Sequence, residues 1–425
     1  MIKRLMESCA HFLLGPPFMF VGLVLALIER QCTDSSRLPA VLLGITPIID
    51  KKYLAQALRK QGYLSISFAY HVYSIHSVRD FDYTPERIFP RLARMNLIRA
   101  LVPYFFFLWG LANFQVFILD FDGGFLRSTP YRFLEWRIMN LAGRRIIAVP
   151  YGGDALDLRR CRDPNTVAAA LRDYPKMSKD ARDIERRVTY YSGRSSFVVA
   201  GGNMIDFLPR FDLLVPSSLV IDTEEWQDDK SRSGALNGRP VKILHAPNHR
   251  NIKGTQFLIQ ACEELRAEGV PVELIIKERV PNSEIKRLMR EVDIVASGFV
   301  FGFYEMFAVE GMSMCKPVMN YWRPDLKFIY STYSWASECP IVDTPVADLR
   351  KNIKMLVDNP ELRRQLGEAG RRYVEKYHSH EAIGRLFDKI IRKVWFGEKT
   401  EFLPSGVRAA LAALPLGTRM RVRER

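Results

Sequence analysis

Lys242-Ile-Leu-His-Ala-Pro-Asn-His-Arg-Asn-Ile-Lys-Gly-Thr255 and, further along, Tyr304-Glu-Met-Phe-Ala-Val-Glu-Gly-Met-Ser-Met-Cys-Lys-Pro-Val318 are the two halves of the stretch that decides the fold. In the first, an apolar run ends in a polar loop carrying Arg250 and Lys253, and a helix is expected from about Thr255. Two cations beside the free N–H groups of a helix N-terminus make a diphosphate site that requires no metal. In the second, Glu310 falls on a helix whose same-face neighbours are Met306, Phe307, Ser313 and Met314. A carboxylate on an apolar stripe is costly unless something hydrogen-bonds it, and a ribose diol would do so. Between and around these halves the pattern predicts strand 241–246, helix 255–268, strand 271–277, helix 283–291, strand 293–297, helix 306–314 and strand 316–321. Alternation at these lengths specifies a parallel sheet flanked by helices. Helices near 360–377 and 380–395 would finish the domain.

These residues resemble the C-terminal half of family-4 glycosyltransferases, retaining enzymes of the GT-B fold in which two Rossmann-like domains face each other across a cleft. The resemblance covers roughly residues 38 to 395 and is strongest from 241 to 322. It implies that Arg250 and the Lys253-Gly254 pair, with Thr255 behind them, bind the diphosphate of a nucleoside diphosphate sugar, and that Glu310 holds its ribose. The first Glu of the family's Glu-x7-Glu motif falls on Gly302, while the family's following Gly falls on Glu305, which joins the expected donor-binding set. Upstream, Pro150-Tyr-Gly-Gly-Asp154 resembles the Gly-x-Asp turn of polysaccharide-assembly members, and Pro216 to Trp226 resembles their interdomain segment.

The N-terminal half opens in the same α/β style. An apolar run at 40–45, the Gly44-Ile-Thr-Pro47 turn and a helical pattern through Leu54, Leu58 and Lys60 read as strand, loop and helix. Gly44 either lets backbone approach the donor or simply makes a turn. Further strands are expected at 116–120, 144–149 and 196–200. Asp154, after Gly152-Gly153 at a strand end, either faces the cleft, as an acceptor-binding or catalytic group, or caps the helix after it. The expected organisation is a hydrophobic segment over 1–37, an acceptor domain over 38–225, a donor domain over 226–395 and a basic tail over 396–425.

The 425 residues carry a net charge of +15 and are 48% apolar with 12% aromatic. That charge implies an anionic partner: nucleotide diphosphate, acidic headgroups or nucleic acid, of which the last leaves the paired motifs unexplained. Six scattered cysteines without a Cys-x-x-Cys pair argue against a disulfide framework or zinc site and point to a reducing compartment. Cys9 to Ile28 is uncharged and follows Lys3 and Arg4; Gly15-Pro-Pro17 interrupts it, and basic residues flank both sides. A re-entrant hairpin satisfies both flanks, a full span only one, and a signal peptide would strand the site away from nucleotide sugars. Ala100–Leu119 reads as a buried helix leading into a strand, with aromatic density that would also suit a lipid-docking face. The arginine-rich end from Phe402 is either solvated or a lipid-surface anchor.

Asp120-Phe-Asp122 and Asp80-Phe-Asp82 match a metal-nucleotide pattern, but so short a match occurring twice has little specificity, and turn chemistry also selects Asp and Gly there. His71, His76, His245 and His249 are weaker candidates, since a lone His more often serves structure. The expectation is therefore a metal-independent glycosyltransferase without a cofactor, at the cytoplasmic face of the inner membrane, peripheral or monotopic. It would act on a lipid-linked or glycan acceptor, with Arg250, Lys253 and Asp154 as its catalytic set and no nucleic-acid partner. The alternatives are a non-catalytic nucleotide-sugar-binding scaffold, which Gly302 favours, and a nucleotide-sugar 2-epimerase.

Overall fold

Short strands that are mostly buried need helices on both faces of a sheet, and the chain supplies them in alternation. The computed structural model describes residues 2–73, 76–88, 96–228 and 238–402. After helix α1 (Ile2–Cys32), the first half runs β1 (Val41–Leu43), α2 (Asp50–Lys60), β2 (Ser65–Ser67), α3 (Pro85–Ile88), α4 (Asn96–Asn113), β3 (Val116–Leu119), α5 (Arg132–Leu141), β4 (Arg145–Ala148), α6 (Pro164–Asp173), α7 (Met177–Arg194), β5 (Phe197–Gly201) and β6 (Leu213–Val215). These strands form one parallel sheet in the order β2-β1-β3-β4-β5-β6.

The second half runs β7 (Val241–His245), α8 (Arg250–Lys253), α9 (Thr255–Ala267), β8 (Val272–Ile276), α10 (Asn282–Met289), β9 (Ile294–Ala296), α11 (Met306–Ser313), β10 (Val318–Asn320), α12 (Pro324–Tyr333), β11 (Val342–Asp343), α13 (Leu349–Asp358), α14 (Pro360–Tyr377) and α15 (His380–Phe396). Its parallel sheet has the order β11-β10-β9-β7-β8. All the elements expected between 241 and 321 are present within a residue or two of their expected ends. Helix α6 shows why local chemistry was readable: Asp163 accepts from Asn165 N and Thr166 N, and Pro164 fills the first helical position.

Two expectations are corrected by the packing. Helix α15, assigned by sequence to the donor domain, crosses back onto α2 of the first domain. There Tyr63 donates to Asp388 at 2.7 Å and Gly384 lies so close to Ala57 O that an added Cβ would sit 2.9 Å from it. The tail beyond 402, with its anchor reading, and linker residues 229–237 lie outside the described residues.

The second correction concerns the N-terminus. Helix α1 is continuous through Pro16 and Pro17, so the segment is no re-entrant hairpin. A proline loses the bond to the carbonyl four residues earlier, here those of Phe12 and Leu13, both on the exposed side. The opposite side holds the helix straight enough to continue, because Gly15, Met19, Gly22 and Ala26 form a buried stripe at helical spacing against α4 and α5. Phe18 stacks on Tyr104 with ring centres 5.5 Å apart, and buried Arg144 pairs with Glu29 and donates to Thr33 Oγ1 at 2.9 Å. The free side presents Phe12, Leu13, Phe20, Val21, Leu23, Val24, Leu27 and Ile28. By length and composition His11–Cys32 could cross a bilayer.

Gly15 is the tightest point of this packing, since an added Cβ would come 2.4 Å from the Tyr131 ring. Gly15→Val is therefore expected to lower the thermal midpoint by several degrees, overpacking costing about 1–3 kcal/mol. Phe20→Ser, on the exposed side, should leave the midpoint unchanged. Differential scanning fluorimetry of both variants checks this, and equal midpoints would show that α1 does not dock on the domain.

Candidate functional site

The carboxyl ends of the two sheets face each other, and the cavity between them holds about 340 Å³. The first domain contributes Lys51, Tyr151, Gly152 and Gly153, and the second contributes His249, Lys253, Tyr304 and Glu305. Open α/β sheets bind ligands in such crevices because loop backbone and helix N-termini converge there.

Of the expected cations, Lys253 faces this cleft and Arg250 does not. Lys253 is buried, and its Nζ lies 2.5 Å from Glu305 Oε2. The side chain passes over Gly298, where an added Cβ would meet Lys253 Cδ at 3.3 Å. Arg250 turns outward to Glu278, at 2.9 Å and 3.1 Å, with half of its side chain exposed. Three residues apart on α8, the two side chains start from the same side of the turn, and their partners separate them: Glu278 holds Arg250 outward while Glu305 holds Lys253 in the cleft.

The N–H groups of that turn are also engaged. Asp173, at the end of α6, accepts from Ile252 N at 2.8 Å and from Asn251 Nδ2 at 2.7 Å, clasping the two domains. Gly254 has φ +70 and joins α8 to α9, and an added Cβ would press on Phe299 Cβ at 3.1 Å. Thr255 is buried with its hydroxyl 2.9 Å from His245 Nε2. His245 also meets Ala296 O at 2.8 Å through Nδ1, and burial pushes its pKa down to about 4. Thr255 and His245 thus fix the strand–helix junction beneath Lys253.

Glu310 is buried in α11, and among the described residues its carboxyl has no hydrogen-bond or ion-pair partner. Burial first, and then the charge of Glu225, raise its pKa to about 8. Glu225 itself lies 3.4 Å from Lys286 Nζ and from Tyr53 OH, so Glu310 looks onto the segment that links the domains. Gly302 stands in the left-handed region at φ +72, where an added Cβ would be 2.8 Å from Arg323 Cβ. No glutamate fits there, which is why Glu305 is the carboxylate beside Lys253.

Two further expectations are corrected. Asp154 does not reach the cleft and caps no helix. Fully buried, it accepts from Tyr151 N at 3.0 Å, Gly152 N at 2.9 Å and Phe121 N at 2.9 Å, so it shapes the turn whose backbone lines the cleft. Burial, with Asp120 and Asp122 nearby, raises its pKa. Gly44 approaches its own chain rather than a ligand: an added Cβ would lie 2.7 Å from Phe68 O.

The Asp120–Asp122 pair is likewise tied into the turn. Asp122 pairs with Arg187 at 2.6 Å and accepts from Tyr151 OH at 2.7 Å. Among the described residues no group of His, Cys, Asp and Glu is arranged to hold a metal ion.

Sequence reading missed Lys51, Tyr174 and Asp173. Lys51 is buried at the cleft floor near Asp50 and Asp120, and Tyr174 meets His249 Nε2 across the cleft. The signal for Lys51 was its place in the first turn after the β1 loop, where a buried lysine is unusual.

No protein-family model matches the chain, and no curated protein sequence matches it. Solved structures do. A sucrose-phosphate synthase from Thermosynechococcus elongatus superposes with a TM-score of 0.53 at 13% identity, over 85% of this chain and 100% of that one. HepE of Anabaena, solved with UDP-glucose, gives 0.53 at 12% identity, over 84% of this chain and 100% of its own. The likeness is one of fold: two parallel α/β domains around a cleft, as in GT-B glycosyltransferases.

The raised Glu310 pKa carries a pH signature. An acid held above its ordinary value of 4.5 contributes its full stability below that value and loses it as pH rises through about 8. Without ligand, the thermal midpoint of Glu310→Gln relative to the parent is therefore expected to climb steadily between those limits. Parallel midpoint curves in the two proteins would show that Glu310 is solvated.

Proposed function

We propose that the protein is a glycosyltransferase that moves a sugar from a nucleoside diphosphate sugar to an acceptor held at a membrane surface. The observation that carries this reading is a buried cation, Lys253, beside Glu305 in the interdomain cleft, with a buried carboxyl on the adjoining helix, Glu310, that has no hydrogen-bond or ion-pair partner among the described residues. Lys253 would stabilise the charge that grows on the departing diphosphate, a contribution that requires no metal. It would exchange Glu305 for phosphate oxygens, freeing Glu305 for the hydroxyls of the donor sugar. Glu310 would regain hydrogen bonds from the ribose diol, offsetting its burial. Lys51 faces the same space from the acceptor side. Retention of anomeric configuration follows from the family resemblance.

The apolar side of α1 supports placement on a bilayer. A helix docked along the domain from Gly15 to Glu29 cannot cross the membrane without taking α4 and α5 with it, so it would lie in the plane of one leaflet, monotopically. The carbonyls freed by Pro16 and Pro17 are tolerable at the headgroup level and costly at mid-bilayer. Supply of nucleotide sugars makes this the cytoplasmic leaflet.

A second reading is a scaffold that binds the nucleotide sugar without transferring it. Gly302 favours it, since its backbone and the closeness of Arg323 exclude the family's first glutamate. Incubation with radiolabelled nucleotide sugars and membrane extract separates the two: labelled lipid or glycan product supports transfer, and tight binding without transfer or hydrolysis supports the scaffold.

Lys253→Ala is expected to weaken nucleoside diphosphate binding ~10–100-fold, the size of a lost charge-assisted contact. Arg250→Ala, exposed and already paired, should cost less than about three-fold. Isothermal titration calorimetry decides, and the reverse order would return the diphosphate to the outer side of α8. Transfer should also survive excess chelator.

A further inference from the structure

Beyond the cleft, the first domain carries a second cavity of about 740 Å³ that shares Gly153, Tyr174 and Met177 with it. Through Arg127, Ser128 and Arg132 this cavity is continuous with a recess of about 410 Å³ at the start of α5. The recess is lined by three guanidinium groups, Arg127, Arg132 and Arg186, and by no carboxylate. Arg132 is paired with Asp183. Among the described residues Arg127 donates to Thr46 Oγ1 at 2.8 Å, with buried Asp120 and Glu135 near enough to feel its charge, and Arg186 lies on the Phe133 ring, 4.6 Å from its guanidinium carbon. Among the described residues neither of these two guanidinium groups has a carboxylate at ion-pair distance, which makes the recess a site for an anion with several acceptor oxygens.

Its position says which anion. Thr129, Pro130 and Arg132 line the recess, and Tyr131 between them takes Gly15 of α1 against its ring. The arginines therefore lie beside the N-terminal half of α1, next to the place where it docks. An amphiphile whose chains share the leaflet with Phe12, Leu13 and Phe20 would bring its headgroup to this level.

The geometry points to the recess as the binding site for the phosphate or diphosphate of a lipid-anchored acceptor, whose polar end reaches the cleft through the larger cavity. This inference rests on the proposed transfer reaction for its direction and names the acceptor class: a phosphate-bearing lipid. The wall between recess and cleft suits a sugar, with Asp122, Asp173 and Asp180 as acceptors and Tyr73 and Tyr174 as apolar faces.

The test uses the full chain on phosphatidylcholine vesicles, alone or containing a polyisoprenyl phosphate or phosphatidylserine. The double variant Arg127→Gln, Arg186→Gln is expected to lose about ten-fold in affinity for the polyisoprenyl phosphate vesicles. Binding to the other two should be unchanged, and Arg-to-Lys replacements should restore part of the loss. An equal loss on phosphatidylserine would reduce the recess to general surface charge and overturn the proposal, as would no loss at all. Inorganic pyrophosphate binding as tightly as the lipid would assign the recess to a soluble ligand and overturn its lipid half. Nucleoside diphosphate affinity, measured on the same samples, controls for folding. Loss of nucleotide binding in the parent with selective lipid binding intact would refute the donor reading and leave the recess standing.

Discussion

A buried ion pair between the domains governs the rest of the structure. Arg323, entering α12, meets Asp206, after β5, at 2.6 Å and 3.1 Å, and both side chains are withdrawn from water. Such a pair repays its desolvation only with good geometry and satisfied donors, and Asp325 supplies the second set, at 2.7 Å and 2.9 Å. Together with Asp173 on α8 and Tyr330 OH on Gly202 O at 2.6 Å, it fixes how far apart the two sheet ends stand. The cleft has its width because these clasps set it, and Lys253 and Lys51 face the same space for that reason.

Carboxylates in this protein divide into two populations that look alike on paper. Asp154, Glu135 and Asp173 each accept from backbone N–H groups and hold a turn or a helix start. Glu310 and Glu305 differ: among the described residues the first has no hydrogen-bond or ion-pair partner, and the second has Lys253. The distinction is made by burial and by neighbours from distant parts of the chain.

In the proposed reaction the apolar side of α1, the arginine recess and the cleft would make a route from a lipid surface to Lys253. Each part has an ordinary structural reason to exist, yet only the packing of Gly15 on Tyr131 brings the first two together. The route explains how a soluble donor and a lipid-borne acceptor could meet without either leaving its own phase.

By itself the sequence determined the strand–helix alternation from 241 to 321 and the junction Lys253-Gly254-Thr255. It also determined the location of a carboxylate on an apolar helix at 310, since these depend on local periodicity and turn chemistry. Tertiary structure decided the direction of each side chain. Arg250 turned away to pair with Glu278, Asp154 was drawn under its own turn, and Gly44 made room for Phe68 rather than a ligand. It also decided that Pro16 and Pro17 sit within an unbroken helix, because a glycine-lined stripe on the other side packs against α4 and α5. Local rules give what an element is; the free energy of packing distant elements together decides which way it faces.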